Sequence, residues 1–120
     1  MQEIKFRAWI KERKQMQNVG GIDFVNGEVI TYFGDTQHGQ STLTVRVDDV
    51  ELTQYTGLKN YAGAEIYDGD FMHDMDDDYY MLVHYEDGQY MCGDNLLSDC
   101  LGCDVVSNKF ESPELLEGSE

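Results

Sequence analysis

The side chains with metal-binding types and spacing in this chain are its cysteines, one histidine and a group of aspartates. His84, Cys92, Cys100 and Cys103 together make the ligand set of a Cys₃His zinc site, in which thiolates and an imidazole bind the ion tetrahedrally. Structural zinc sites usually have two short ligand pairs, and only the CxxC at Cys100 and Cys103 qualifies. The alternative is that the cysteines are small buried residues kept reduced, and this is our prediction.

The acidic segment that follows Phe71 raises a second metal hypothesis. Asp74, Asp76 and Asp78 have the 1-3-5 spacing of a calcium-binding loop. Tyr79 stands where such a loop requires glycine, and Tyr85 stands where it requires a bidentate glutamate. We therefore expect a solvated turn held open by charge repulsion, with no bound metal.

No pattern typical of an enzyme or a cofactor site is present in the sequence. There is no strained nucleophile turn of the GxSxG type, and the glycines do not form a phosphate-binding loop. Asp68 and Asp70 flank a glycine, but nothing around them in the sequence predicts a pocket that shifts a pKa. We expect no catalytic residue, no cofactor and no enzymatic activity.

The charge of the chain is high and unevenly placed. The 120 residues have a net charge of −16, although residues 1–14 hold five basic residues against two acidic ones. Between Asn60 and Asn108 there are twelve acidic residues and no lysine or arginine. Nucleic acids and anionic lipids are bound through cations that neutralise phosphates, so this composition excludes both as direct partners. It favours a basic protein partner, which the negative field would attract over a long range.

The segments that must position these groups have the patterns of short strands and turns. Residues 4–9 and 42–47 alternate apolar and polar side chains with the period of a half-buried strand. Asn26-Gly27 and Asp87-Gly88 each separate two apolar segments, which predicts hairpins with type I′ turns. Residues 34–41 are predicted to be a loop, Gly20-Gly21 to end a polar connection, and residues 94–101 to form one short helix.

These elements predict an all-β domain with minor helical turns. Our specific expectation is a small SH3-like β-barrel over about residues 56–112, packed with an N-terminal β-sheet over about residues 1–55 and followed by an acidic tail at 113–120. No apolar segment approaches the roughly 20 residues of a membrane span. The N-terminus has no secretory apolar region, so we expect a cytoplasmic protein that does not bind membranes.

The chain is organised around residues 52–71, LTQYTGLKNYAGAEIYDGDF. Its three glycines lie six residues apart, and each predicts a turn because glycine adopts positive φ without steric cost. Between them we expect Leu58, Ile66, Tyr67 and Phe71 to be buried anchors.

Three motifs of the chain resemble the YopX family of phage and prophage proteins. They are EIKFRAW at residues 3–9, QYTGLK followed by EIYDGDF in the central stretch, and VVSNKFESPELLE at residues 105–117. The resemblance covers both ends and the middle of the chain. It implies a phage or prophage origin and a mainly β fold, and it implies no particular activity. We expect one domain over residues 1–120, in the cytoplasm of a host bacterium.

Two functional hypotheses follow. In the first, the protein is an acidic decoy that occupies the basic nucleic-acid-binding surface of a host protein, such as a defence nuclease targeted by an anti-CRISPR or anti-restriction inhibitor. In the second, it is an accessory protein-interaction module whose acidity serves only solubility.

Tyrosine offers contact area with a polar tip, so tyrosines beside acids suit an interface. Tyr55, Tyr67 and Tyr85 are expected in the core, and the two acidic turns are expected to be neighbours. The predicted partner-binding residues are Asp74, Asp76, Asp77, Asp78, Tyr79, Tyr80, Glu86 and Asp87.

Overall fold

A computed structural model describes residues 4–35 and 39–116 of the chain. The chain divides into two compact units. The N-terminal unit comprises Lys5–Gln54, and the C-terminal unit comprises Tyr55–Glu120 together with Met1–Ile4.

The N-terminal unit is an antiparallel sheet with the strand order β4-β3-β2-β1-β5. Alternating side chains of its strands form a small core of Ala8, Ile10, Val29 and Val50. One buried polar pair accompanies it, because the Thr31 hydroxyl donates a 2.7 Å hydrogen bond to the Gln17 side-chain oxygen. A 3-10 turn at Val47–Asp49 leads into β5. The strands are β1 Phe6–Ile10, β2 Gln15–Asp23, β3 Glu28–Asp35, β4 Gly39–Arg46 and β5 Val50–Lys59.

The C-terminal unit contains a five-stranded antiparallel sheet with the order β10-β9-β8-β7-β11. The short strand β6 pairs instead with the second half of β5, through Tyr55 with Tyr67 and Lys59 with Glu65. Two 3-10 turns lie at Leu97–Asp99 and Pro113–Leu116. The strands are β6 Glu65–Tyr67, β7 Asp70–Asp74, β8 Tyr79–Glu86, β9 Gln89–Cys92, β10 Asn95–Leu96 and β11 Asp104–Asn108. The core consists of Ile66, Met72, Met81, Val83, Cys92, Leu97 and Cys100.

The prediction of an all-β fold with minor helical turns is confirmed, but a closed SH3-like barrel is not seen. The five-stranded sheet is open, because β10 and β11 lie at its opposite edges and do not pair with each other in the part of the chain that the structure describes. The predicted helix at residues 94–101 is also wrong. Asn95 and Leu96 pair with Cys92 and Met91 of β9, which leaves only a 3-10 turn after them.

Two predictions about connections in the N-terminal unit are corrected. Gly20 and Gly21 lie inside β2, where the pairing with β3 shifts register, and they do not end a connection. The segment predicted as a loop is largely strand, since β3 extends to Asp35 and β4 begins at Gly39. Residues 36–38 of that segment lie outside the described residues.

The two predicted hairpin tips differ in their turns. Asp87 and Gly88 have φ of 52° and 84° between paired Glu86 and Gln89, the two-residue turn that the sequence predicts. Asn26-Gly27 also lies at a tip, but the turn there has four residues, 24–27, and only Gly27 has positive φ. The wider turn forms because the Asp23 carboxylate accepts hydrogen bonds from the backbone N–H groups of Val25 and Asn26.

The central stretch packs as predicted at most of its anchors. Ile66, Tyr67 and Phe71 are buried, whereas Leu58 is half-buried against the core of the C-terminal unit. The Asn60 side chain organises the turn between β5 and β6. Its oxygen accepts hydrogen bonds from the N–H groups of Ala62 and Ala64, and its amide donates to the Cys103 carbonyl.

Candidate functional site

The cysteine and histidine set does not assemble into a metal site. Cys92 and Cys100 are buried and Cys103 is half-buried, all three as free thiols. The Nε2 atom of His84 lies 2.9 Å from the Gly93 carbonyl oxygen, so it is engaged by the backbone. Within residues 4–35 and 39–116, no three His, Cys, Asp or Glu side chains have a geometry that could hold a metal ion. Burial raises the pKa of the Cys92 thiol, and the proximity of Cys100 raises it further.

The acidic turn between β7 and β8 is closed by one of its own carboxylates. Asp74 Oδ1 accepts hydrogen bonds from the N–H groups of Asp76 and Asp77, at 2.9 Å and 3.3 Å. Asp78 completes the turn with a φ of 51° and lies 2.8 Å from the Nε2 atom of His73. Asp76 and Asp77 are exposed, and neither carboxylate has a side-chain partner among the described residues. These two charges are therefore available to a binding partner.

Tyr79 and Tyr80 follow this turn and lie on opposite faces of β8, as neighbours in a strand must. Both are half-buried. Tyr80 packs against His73 with a ring-centroid distance of 4.8 Å. Tyr79 packs against the core of the C-terminal unit, and burial first and Asp74 second raise the pKa of its hydroxyl. Aromatic surface therefore lies next to the acidic turn on both faces of the hairpin.

The predictions for the remaining tyrosines are right at two positions and wrong at one. Tyr55 and Tyr67 are buried, and their ring centroids lie 5.4 Å apart. Tyr85 is 57% exposed and packs edge-on against Tyr90 at 5.0 Å. It is exposed because β8 extends past the buried part of the sheet before it reaches the Asp87-Gly88 turn.

The expectation that the two acidic turns are neighbours is wrong. The turn at 75–78 precedes β8, and the turn at Asp87-Gly88 follows it. Seven residue steps separate Tyr79 from Glu86, which is about 23 Å at roughly 3.3 Å per residue. Glu86 and Asp87 are exposed, but they lie at the other end of the strand from Asp76 and Asp77. Pairing of β7, β8 and β9 side by side does not bring the two turns together, because successive hairpin turns lie at alternate ends of a sheet.

A surface pocket lies beside Tyr79. Its volume is about 410 Å³, and its lining includes Tyr79, Met81, Asp94 and Asn95. Met81 is almost fully buried and provides an apolar wall, whereas Asp94 and Asn95 are exposed. The sequence interpretation placed Asp94 and Asn95 at the start of a predicted helix and missed this pocket. The pairing of β8 with β9 and of β9 with β10 brings these two residues into one pocket with Tyr79 and Met81, and no local pattern indicates the pairing of β10.

The sequence interpretation also missed the structural role of Asp70. This carboxylate is 1% exposed, and its Oδ2 atom accepts a 2.8 Å hydrogen bond from the Tyr67 N–H. The bond closes the turn around Gly69, whose φ is 90°. Asp70 therefore holds the central motif together and is not part of the accessible acidic surface.

The chain matches the family of the YopX protein over residues 5–117, almost its whole length. It belongs to the YopX family. No curated protein sequence matches it significantly. Its fold is similar to that of the protein EF1440 from Enterococcus faecalis, known from a crystal structure, with a TM-score of 0.70 and 24% sequence identity. The similarity covers 97% of this YopX chain and 99% of that protein, and it concerns the fold alone. Among the described residues of the YopX chain, no helix is both long and apolar enough to cross a membrane.

Proposed function

We propose that this YopX protein is a phage- or prophage-encoded, non-enzymatic protein that acts in the bacterial cytoplasm. In this proposal its acidic C-terminal unit binds the basic, nucleic-acid-binding surface of a host protein. Such a decoy would inhibit a defence protein, in the manner of an anti-CRISPR or anti-restriction protein. The observation that carries the proposal is the placement of charge: the acidic turn at 75–78 is exposed and is followed by two half-buried tyrosines, in a stretch of 49 residues without lysine or arginine.

The geometry of the acidic surface refines the predicted binding residues. Asp76 and Asp77 are exposed without side-chain partners among the described residues, and Tyr79 and Tyr80 supply contact area next to them. Glu86 and Asp87 form a second acidic group about 23 Å away along β8. A duplex presents phosphates along its whole length, with one charge per roughly 1.7 Å of axis. Two acidic groups at the two ends of β8 would suit an extended basic groove as the complementary surface.

The test begins with capture of partners from a host lysate on the immobilised protein, at low and at moderate salt. A partner should be basic, and its binding should weaken between about 50 mM and about 200 mM salt, because screening shortens the range of attraction. The captured protein is then tested for duplex DNA binding in competition with the YopX protein. We expect mutually exclusive binding. A complex that contains the partner, the duplex and this protein together would contradict the decoy.

Two matched variants separate charge placement from total charge. Replacing Asp76, Asp77 and Asp78 with Asn removes three charges and keeps shape, since Asn tolerates the positive φ of the third position. The control replaces three exposed acids of the N-terminal unit, with the changes Glu12→Gln, Asp48→Asn and Asp49→Asn.

The variant with Asn at positions 76–78 should remain folded and associate about tenfold more slowly with the partner. The reason is that charges at the binding surface attract an oppositely charged partner before contact and so raise the association rate. The control should change the association rate by less than about twofold. Equal effects of the two variants would show that total charge matters and the acidic turn does not.

The second hypothesis, an accessory interaction module, is favoured by one separate observation. Phe24 and Val25 at the β2–β3 hairpin tip are 86% and 94% exposed, and two adjacent apolar side chains at a tip suit insertion into a partner. The double change Phe24→Ser and Val25→Ser tests it. Loss of partner capture in this variant, with full capture by the triple Asp variant, would favour the accessory module over the decoy.

A further inference from the structure

The pocket beside Tyr79 combines an aromatic ring, an apolar wall, one carboxylate and one amide. Its volume of about 410 Å³ lies within the roughly 300–1,000 Å³ of small-molecule sites. Tyr79 contributes the ring, Met81 the apolar wall, and Asp94 and Asn95 the polar groups. In the described part of the chain, the side chains of Tyr79, Asp94 and Asn95 make no hydrogen bond or ion pair with other residues. The pocket therefore offers an aromatic ring, a carboxylate and an amide to an incoming group.

The surroundings of the pocket are negative. Asp74 and Asp77 lie near enough to Tyr79 to contribute to the raised pKa of its hydroxyl, after the larger effect of burial. Asp74 and Asp76 likewise lie near Cys103, whose thiol pKa is raised chiefly by burial. The sequence holds no lysine or arginine from residue 60 to residue 108 that could neutralise this region. An anionic ligand would be repelled, and a purely apolar one would desolvate the carboxylate without replacing its hydrogen bonds.

We propose that the Tyr79 pocket binds the guanidinium group of an arginine side chain. A guanidinium is planar, stacks on an aromatic face and presents several N–H donors in a fixed fork. The Asp94 carboxylate and the Asn95 side-chain oxygen line the same pocket and would accept these donors, since a carboxylate accepts such a fork through two parallel hydrogen bonds. A lysine ammonium has the charge but neither the plane nor the fork. The proposal rests on the proposed function for the source of the arginine, a basic protein partner.

The experiment uses the full-length protein and three blocked tripeptides, Gly-Arg-Gly, Gly-Lys-Gly and Gly-citrulline-Gly. Citrulline keeps the shape of arginine and lacks its charge. Binding is followed by backbone amide chemical shifts in ¹H–¹⁵N spectra. We expect saturable shifts centred on Tyr79, Met81, Asp94 and Asn95, with an affinity for the arginine peptide about tenfold above that for citrulline and higher than that for lysine.

Variants locate the site and control for charge. Asp94→Asn is exposed and should weaken arginine binding by about five- to tenfold. Tyr79→Phe should bind as the wild type does because the ring is retained, whereas Tyr79→Leu should lose binding. Asp87→Asn removes the same charge beyond the other end of β8, about 23 Å from Tyr79 and farther than the roughly 8 Å screening length, and should change affinity by less than about twofold.

The outcomes separate this proposal from the proposed function. Equal binding of the citrulline peptide, or equal weakening by Asp87→Asn and Asp94→Asn, would overturn the arginine pocket. The decoy would then still be decided by the competition with duplex DNA. Arginine binding at Tyr79 combined with a captured partner that binds duplex DNA and this protein at once would support the pocket and overturn the decoy.

Discussion

The two units of the molecule are built from the same kind of antiparallel hairpin, yet they differ greatly in charge. The N-terminal unit has six basic residues against seven acidic ones, a net charge of −1. The C-terminal unit has two basic residues against seventeen acidic ones, a net charge of −15. Nearly all the acidity of the protein therefore belongs to one unit. The nearly neutral unit shows that this strand architecture forms without an acidic surface.

Hairpin turns of the two units can also be compared residue by residue. Three hairpins have four-residue turns whose last residue has positive φ: Lys14 at 52°, Gly27 at 66° and Asp78 at 51°. The same position thus holds a cation, a glycine and an acid. Turn geometry uses the Asp74 carboxylate but does not demand an acid at Asp76, Asp77 or Asp78, so the acidity of these three residues is free to serve another purpose.

The largest expected difference between the units concerns their phenylalanines. Phe71 of the C-terminal unit is fully buried, and Phe71→Ala should lower the free energy of unfolding by about 3–5 kcal/mol, since it leaves a cavity in the core. Phe24 of the N-terminal unit is 86% exposed, and Phe24→Ala should change it by less than about 0.5 kcal/mol. Urea unfolding measures both. A loss below about 1 kcal/mol for Phe71→Ala would show that the central motif is not the organising core.

The next difference concerns two turn glycines with positive φ. Gly69→Ala should destabilise the fold by about 1–3 kcal/mol, because φ is 90° and the new methyl group would lie 3.3 Å from the Lys109 Cε. Gly27→Ala in the N-terminal unit has φ of 66° and only an ordinary contact with Val47, so the strain comes from the backbone alone. Thermal unfolding of both variants tests this order. A larger loss for Gly27→Ala would contradict it.

A smaller effect is expected from the carboxylates that close the two matching turns. Asp74→Ala should lower the free energy of unfolding by about 0.5–1.5 kcal/mol, because two backbone N–H groups lose their acceptor. Asp74→Asn keeps a side-chain oxygen as acceptor and should retain most of the wild-type stability. Asp23→Ala should act in the same direction in the N-terminal unit. Urea melts of the three variants at neutral pH give the comparison. Equal loss in Asp74→Asn and Asp74→Ala would point to charge, and not to the acceptor, as the source of stability.

The Asp23 turn should also respond to pH. Hydrogen bonds from Asn26 lower the pKa of the Asp23 carboxyl. A lowered folded pKa means that its contribution to stability is complete above the unfolded value of about 3.9 and is lost as the pH falls through the folded value. Urea melts of wild type and Asp23→Asn from neutral to acidic pH should therefore converge in acid. A constant difference between the two curves would contradict this titration.

The last prediction concerns the chemical reactivity of two cysteines and not the stability of the fold. In the native protein, alkylation by iodoacetamide should be at least about tenfold slower at Cys92 than at half-buried Cys103, because only an accessible thiolate reacts and burial raises the pKa of the Cys92 thiol. Mass spectrometry of timed digests measures both rates.

Elemental analysis should find no zinc. One zinc per chain with sulfur ligands near about 2.3 Å would contradict the expectation of a metal-free protein.

The sequence by itself determined the features that depend on a few neighbouring residues. The Asp87-Gly88 turn follows from two residues that tolerate positive φ, and the burial of Ile66, Tyr67 and Phe71 follows from apolar side chains in a motif dense with turns. The concentration of acids between Asn60 and Asn108 is likewise a property of composition. The YopX resemblance was correct because its motifs extend over the whole chain.

Only the tertiary structure decided what depends on strand pairing and strand length. It placed the two acidic turns at opposite ends of β8, exposed Tyr85, buried Asp70, and brought Asp94 beside Tyr79. A strand's alternation tells which side chains share a face, but it gives neither the partner strand nor the register. Those are set by packing between residues far apart in the chain, such as Ala8 opposite Leu52 and Val105 opposite Met72. The same limit explains why the sequence predicted a closed barrel where the paired strands form an open sheet.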